Sequence, residues 1–305
     1  MYRKQNIGLL VSSGVLVTLT VLVFILQHRE NGIDKNLFKV ADLTAVDRVE
    51  LTSKSGTIEL TFDGVRWKVN GKPADADMVQ VLMATLAQAE PRRPMPKLLR
   101  DSTAAALAEK GVRVSLFAGS QPVLTFFAGG NRQKTEAIFL KQGEVTPYSV
   151  VIPGYRVYVS GIFEVDETGW LNRRIFNFNW RNFKSLKVTF PSIGDSFEVS
   201  YDGTMFSIPG VKTDTARLNT FLDQISLLEA DRLVTNKPLR DSLASAQPAV
   251  TLQVATLAGK VFLLALYTKP GAATAYGLTE LAPVAVFDQR KVSPLVQHKV
   301  WFTLK

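Results

Sequence analysis

Cysteine is absent from the 305 residues, and histidine occurs only at His28 and His298. The first absence removes disulfides, thiolate metal sites, cysteine nucleophiles and lipoprotein acylation. The second removes histidine-based triads and multi-histidine zinc sites, which need imidazoles converging in one pocket. His298 reads as a lone surface or packed side chain. The sequence also lacks GxxxxGK[ST], and nothing like GxGxxG joins a strand to a helix, so neither nucleotide fingerprint applies. The conspicuous glycine cluster, Gly129 and Gly130 before Asn131, reads as a β-turn. No cofactor and no metal are expected, and without a convergent nucleophile, base or metal set the sequence points away from an enzyme.

Charge is missing from Ile7 to Leu26, a run of twenty residues. That is about the length a helix needs to cross the hydrocarbon core of a bilayer. A tail and transmembrane anchor are therefore predicted over residues 1–29. The following QHRENG lacks the small-residue pattern of a signal-peptide cleavage site. Arg3 and Lys4 ahead of the run place the N-terminus in the cytoplasm and send the chain from about Asn31 across the membrane. In a bacterium this means the inner membrane, a single pass and a periplasmic body. Within the run, Gly8, Ser12, Gly14 and Thr18 have the spacing of a helix-packing face, although small residues are also simply tolerated in such helices.

The net charge of +9 is spread along the chain. Residues 30–179 hold 19 basic against 17 acidic side chains, and residues 180–305 hold 14 against 10. Neither stretch has the basic footprint of a nucleic-acid binder, and a mild positive excess suits a body near anionic headgroups.

What the sequence does contain is a repeat. TFDGVRWKVNGK at Thr61 to Lys72 returns as SYDGTMFSIPGV at Ser200 to Val211, an offset of 139 set by Asp63–Gly64 and Asp202–Gly203. At that offset Asp75 falls on Asp214, each a predicted helix N-cap. Val79, Leu82, Met83 and Leu86 then fall on Leu218, Phe221, Leu222 and Ile225, one buried helical face in each copy. One residue further out of step, LLRDS is echoed as PLRDS, and Asp101–Ser102 and Asp241–Ser242 read as helix starts. Hairpin-like runs follow from Val112 and Val250. YSVVIPGYRVYVS from Tyr148 and YGLTELAPVAVFD from Tyr276 both read as strand, turn, strand. The expected fold is α+β, with a mostly antiparallel sheet packed with helices used twice, at 30–179 and 180–305. The copies differ beside their Asp-Gly turns, Arg66 and Lys68 in one against Met205 and Ser207 in the other, so function is expected where the copies differ or meet.

GWLNRRIFNFNWRNFKSLKV at Gly169 to Val188 interleaves aromatic and basic residues. Trp170, Arg173, Arg174, Trp180, Arg181 and Lys184 form the candidate interaction surface, for protein or lipid ahead of nucleic acid. Because the segment coincides with the repeat boundary, the preferred reading is a seam between copies, with aromatics inside and basic groups outside.

The anchor, the FDGVRW and YDGTMF hairpins, the capped helices, the LRDS connections, the PAVT strand start at Pro248 to Thr251 and a VY or VF step near each copy's end resemble an uncharacterised bacterial family. It consists of membrane-anchored proteins with a duplicated α+β domain, similar to extracytoplasmic auxiliary components of ABC-type transporters, the gliding-motility type included. In this sequence AEKGVRV and LASAQPAV replace the family's aromatic-Gly-Leu step. The resemblance implies a periplasmic accessory subunit with a membrane-protein partner and carries over no catalytic residue. The alternative is a non-catalytic binding module for a lipid, glycan or peptide.

Overall fold

Buried and exposed side chains alternate along the strands, as a pleat with one packed face requires. The clearest case is Val250–Thr256, where every second residue is buried. The fold is that of a computed structural model that describes residues 13–23, 32–176, 178, 181–281 and 283–304. Residues 13–23 form helix α1. Strands β1 (Arg48–Ser53), β2 (Gly56–Phe62), β3 (Trp67–Val69) and β4 (Lys72–Pro73) precede helix α2 (Ala76–Gln88). Then come β5 (Glu90–Pro94), helix α3 (Lys97–Lys110), β6 (Val112–Ala118), β7 (Gln121–Gly130), β8 (Ala137–Lys141) and β9 (Tyr148–Val151). A short helix α4 (Glu167–Trp170) leads to β10 (Phe183–Thr189), β11 (Phe197–Tyr201), β12 (Phe206–Ser207) and helix α5 (Thr215–Ser226). The chain continues through β13 (Arg232–Val234), helix α6 (Lys237–Ala244), β14 (Val250–Thr256), β15 (Val261–Tyr267), β16 (Thr274–Leu278), β17 (Val284–Asp288) and the short helix α7 (Gln289–Val292).

The architecture is α+β with two antiparallel sheets. One has nine strands in the order β4-β3-β2-β1-β6-β7-β8-β9-β5, the other eight in the order β12-β11-β10-β14-β15-β16-β17-β13. With β4 set aside the two orders follow the same connections. Each sheet is centred on a pair whose facing side chains are buried, Val49 on Leu116 and Leu51 on Val114, or Leu186 on Val254 and Val188 on Leu252. Each such side chain contributes about 1.5–3 kcal/mol by leaving water.

The helical faces form as their spacing dictates: Leu218, Phe221, Leu222 and Ile225 are buried in α5, and Val79, Leu82 and Leu86 in α2, with Met83 half-buried. Asp75 accepts from the Asp77 and Met78 amides at 3.0 and 3.1 Å, and Asp214 from the Arg217 amide at 3.1 Å. Each satisfies amide groups that a helix start leaves without partners.

Two local expectations change. Asp101 and Asp241 lie inside their helices, because α3 begins after Pro96 and α6 after Asn236, whose side chain caps the Leu239 amide at 2.9 Å. Proline near a helix start removes an amide that has no partner there anyway. The Pro-rich Glu90–Pro94 stretch forms the outermost strand β5, paired with β9. The second strand expected after Tyr148 is absent: Tyr155 to Tyr158 form no strand and lead into a 3-10 turn at Val159–Glu164. In strand order β9 therefore corresponds to β17, not β16.

The predicted membrane span Ile7 to Leu26 extends beyond the described residues at both ends, and Gly8 and Ser12 lie outside them. Among the described residues no helix is long and apolar enough to cross a membrane. Gly14 and Thr18 lie in α1, where the Thr18 hydroxyl donates to the Gly14 carbonyl at 2.8 Å.

By contacts the chain divides into two compact units, one of Met1–Glu59 with Gln80–Glu164, the other of Leu60–Val79 with Val165–Lys305.

Candidate functional site

The candidate site is a cleft of about 170 Å³ whose lining residues all belong to the second unit. One wall is the segment Leu171 to Ile175, and it is held by main-chain hydrogen bonds at both ends. Asn172 donates to the Pro73 carbonyl at 3.0 Å, and the Asp75 amide donates to the Trp170 carbonyl at 2.8 Å. At the other end the Ile175 amide donates to Leu228 at 2.9 Å, and the Ala230 amide donates to Arg173 at 2.9 Å. Isolated antiparallel bridges Ala74–Leu171 and Arg174–Glu229 mark the same two attachments. The rest of the lining comes from the β2–β3 hairpin through Arg66, from β4 through Pro73, from β13 through Leu233, from Lys260 just before β15 and Phe262 and Leu263 within it, and from Thr279 to Leu281 after β16.

Arg66 is placed by its turn. The Asp63 carboxylate accepts from the Val65 and Arg66 amides at 3.0 and 2.9 Å, and Gly64 takes a φ of +90°, a conformation open to glycine without steric cost. The twin turn is built alike, with Asp202 accepting from Thr204 and Met205 at 2.8 and 2.9 Å and Gly203 at a φ of +97°. The Asp63 carboxyl is held well below the usual range, first by the Arg66 amide, then by Lys68 and the Val65 amide.

Four cations line the cleft against one acid, Glu280. Arg173 lies 3.7 Å from Asp75 and donates to the Asp231 carbonyl at 3.2 Å, while Arg174 lies 3.6 Å from Glu229. These ion pairs are long and half-exposed, and such pairs contribute about 0–1 kcal/mol. The Lys260 ammonium sits 4.6 Å from the centre of the Phe262 ring. Arg66 and Lys260 have no carboxylate partner among the described residues. The arrangement suits an anion that also carries an apolar part.

A second cleft, of about 300 Å³, lies in the first unit beneath the C-terminal part of α3, where Tyr158 faces Glu164 and Lys134. The Tyr158 hydroxyl donates to Glu164 at 2.6 Å and Lys134 pairs with the same carboxylate at 2.8 Å. Burial, then the hydrogen bond to Glu164 and its charge, raise the Tyr158 pKa, so the phenol keeps its proton and its bond to Glu164. Gly129 and Gly130 are not turn residues; they end β7. A side chain at Gly129 would meet Leu107 at 2.7 Å, and one at Gly130 would run into the Glu136 carbonyl and meet the Tyr158 ring at 2.5 Å. They are glycine because α3 and Tyr158 pack directly on the strand. Asn131 makes the turn, accepting from the Thr135 and Glu136 amides at 2.8 and 3.1 Å.

Of the candidate surface residues, Arg173 and Arg174 line the cleft, while Arg181 and Lys184 are exposed outside it. Trp170 is fully buried, with its ring nitrogen donating to the Val165 carbonyl at 3.3 Å, so it belongs to the core and to no surface. Trp180 lies outside the described residues. The lining residues Lys260, Phe262 and Leu263 were missed, and a half-exposed β15 with a basic start is only a weak signal. Arg66 was visible as a difference between the copies. His298 stacks on Phe190 at 4.5 Å and lies 3.4 Å from Asp195. Among the described residues no cluster of acidic and histidine side chains has metal-site geometry.

Compared with family models, curated proteins and solved structures, the chain matches none of them.

Proposed function

We propose that the chain is a single-pass periplasmic accessory subunit, held in a bacterial inner membrane by its N-terminal helix and bound there to a membrane-protein partner of the ABC-transporter type. The observation that carries the reading is α1: every residue from 13 to 23 is exposed, Leu16 at 68% and Leu22 at 52%. A helix apolar on all sides with no protein over it calls for an apolar medium, and the uncharged run from Ile7 to Leu26 extends it to bilayer length. On this reading the body works by contact, not catalysis, and the mild positive charge of both copies favours residence near anionic headgroups.

Crosslinking mass spectrometry on native bacterial membranes tests this. The expected result is crosslinks from the body to one integral membrane protein, recovered with the chain after extraction in mild detergent. Recovery of the chain alone, or from the soluble fraction, overturns it. The cleft favours a second reading, a non-catalytic module for an envelope ligand, which needs no partner protein.

A further inference from the structure

We propose that the cleft in the second unit binds a small carboxylate-bearing apolar group, with Arg66 and Lys260 receiving the carboxylate and Phe262, Leu263 and Ile175 receiving the apolar part. This goes beyond the accessory-subunit reading and stands independently of it, since a ligand can bind whether or not a partner is recovered.

The charge balance selects the ligand's sign. Arg173 and Arg174 already face Asp75 and Glu229. Arg66 and Lys260 remain, opposed by Glu280 alone on the lining, so one negative charge neutralises the cleft. The volume selects its size: about 170 Å³ is close to an apolar cavity of about 150 Å³ that takes one benzene ring. One ring or a branched alkyl group fits within it, and anything larger extends out of its open side.

The Lys260 ammonium above Phe262 places a cation directly beside that apolar surface, where a carboxylate attached to the buried group would reach it. Leu233 brings in β13, the last strand of its sheet, so an extended chain has a strand to run beside. The same chemistry has two sources, a free small acid or the C-terminal residue of another polypeptide.

Saturation-transfer NMR on the full chain in phosphatidylcholine nanodiscs separates them. The probes are phenylbutyrate, its primary amide, and an acetylated Gly-Ser-Gly-Ser-Ala-Phe peptide with a free or an amidated C-terminus. The acids are expected to bind about tenfold or more tightly than their amides, the margin of a charge-assisted hydrogen bond. Arg66→Glu with Lys260→Glu should abolish the difference, while Lys187→Glu on β10 leaves it intact. Both cleft side chains are exposed, so the double variant should melt with the wild type; if it melts early, Leu263→Asp gives the same readout. Binding of phenylbutyrate alone assigns a free acid, and binding of the free-carboxyl peptide assigns a chain terminus. Amides binding as well as acids, cleft variants binding as well as wild type, or no saturation by either acid overturns the proposal.

Discussion

Trp170 over Asp75 and Phe302 over Asp214 close the two copies in the same way, whereas the outer strands β5 and β13 end their sheets differently. In the closures, the Asp75 and Asp214 amides donate to the Trp170 and Phe302 carbonyls, both at 2.8 Å. The Asn172 and Leu304 amides donate to Pro73 and Lys212 at 3.0 and 2.9 Å. Bridges Ala74–Leu171 and Thr213–Thr303 lie between these bonds. The side chains differ at nearly every one of these positions, so the duplication preserves a main-chain pattern and one buried aromatic. The edges have diverged. β5 carries Pro91 and Pro94, which have no amide to offer another strand, while β13 has no proline and turns Leu233 toward the cleft. The helices after them have diverged too: α3 runs fourteen residues and α6 eight, and Ala106, Leu107 and Lys110, in the part of α3 without a counterpart in α6, line the first unit's cleft. Each cleft thus lies where one copy has what the other lacks.

Removing the closing aromatics should break this likeness most strongly. Trp170→Ala and Phe302→Ala each empty a fully buried site, at a cost of about 3–5 kcal/mol. The tryptophan change should be the more severe, because it also frees the Val165 carbonyl. Hydrogen exchange should show Asp75 losing protection in the first variant and Asp214 in the second. If either variant exposes both amides equally, the closures are not separate devices. A smaller effect separates two glycines whose missing side chains leave no room. Gly130→Ala pushes a methyl against the Glu136 carbonyl, which cannot swing aside, and should cost about 1–3 kcal/mol. Gly277→Ala meets only the tips of Leu264 and Phe287, and chemical denaturation should find it the milder change.

What the sequence made legible is what depends on near neighbours. The Asp-Gly turns, the capping aspartates and the buried faces of α2 and α5 each arise within a dozen residues, and each stands as expected. What it concealed depends on segments far apart. Gly130 looks like a turn glycine until Tyr158 is seen to pack on it. Trp170 sits among the candidate surface residues until its burial and its carbonyl's bond from the Asp75 amide place it inside, as the seam reading had it. Lys260 has no local mark because its cleft also needs Arg66 and the 171–175 segment. The helix starts were misplaced for a local reason, since Asp101 outranks Pro96 as a cap by residue type alone.

The caps give a gentler comparison. Asp75→Ala and Asp214→Ala should each cost about 1 kcal/mol in thermal melts, Asp75 more because it accepts from two helix amides and Asp214 from one. Equal losses would mean that the second bond contributes nothing.

The smallest expected effect lies in the turns themselves, where the two copies look most alike. Both Asp63 and Asp202 have carboxyl pKa values lowered from 3.8, Asp202 by the Met205 and Thr204 amides, Asp63 by its amides and also by Lys68, whose ammonium lies 2.9 Å away. A carboxyl whose pKa is lower in the folded than in the unfolded chain stabilises the fold above its unfolded value and loses that contribution as pH falls toward the folded one. Asn substitutions keep an oxygen for the turn amides and remove only the charge, so wild type should lead Asp63→Asn and Asp202→Asn in melting temperature at neutral pH. Both leads should shrink below about pH 4. The Asp63 lead should be the larger and should fall with added salt, which screens the exposed Lys68 pair and leaves the hydrogen bonds of Asp202 untouched. If the two leads are equal and equally insensitive to salt, Lys68 adds nothing and the turns are energetic twins as well as geometric ones.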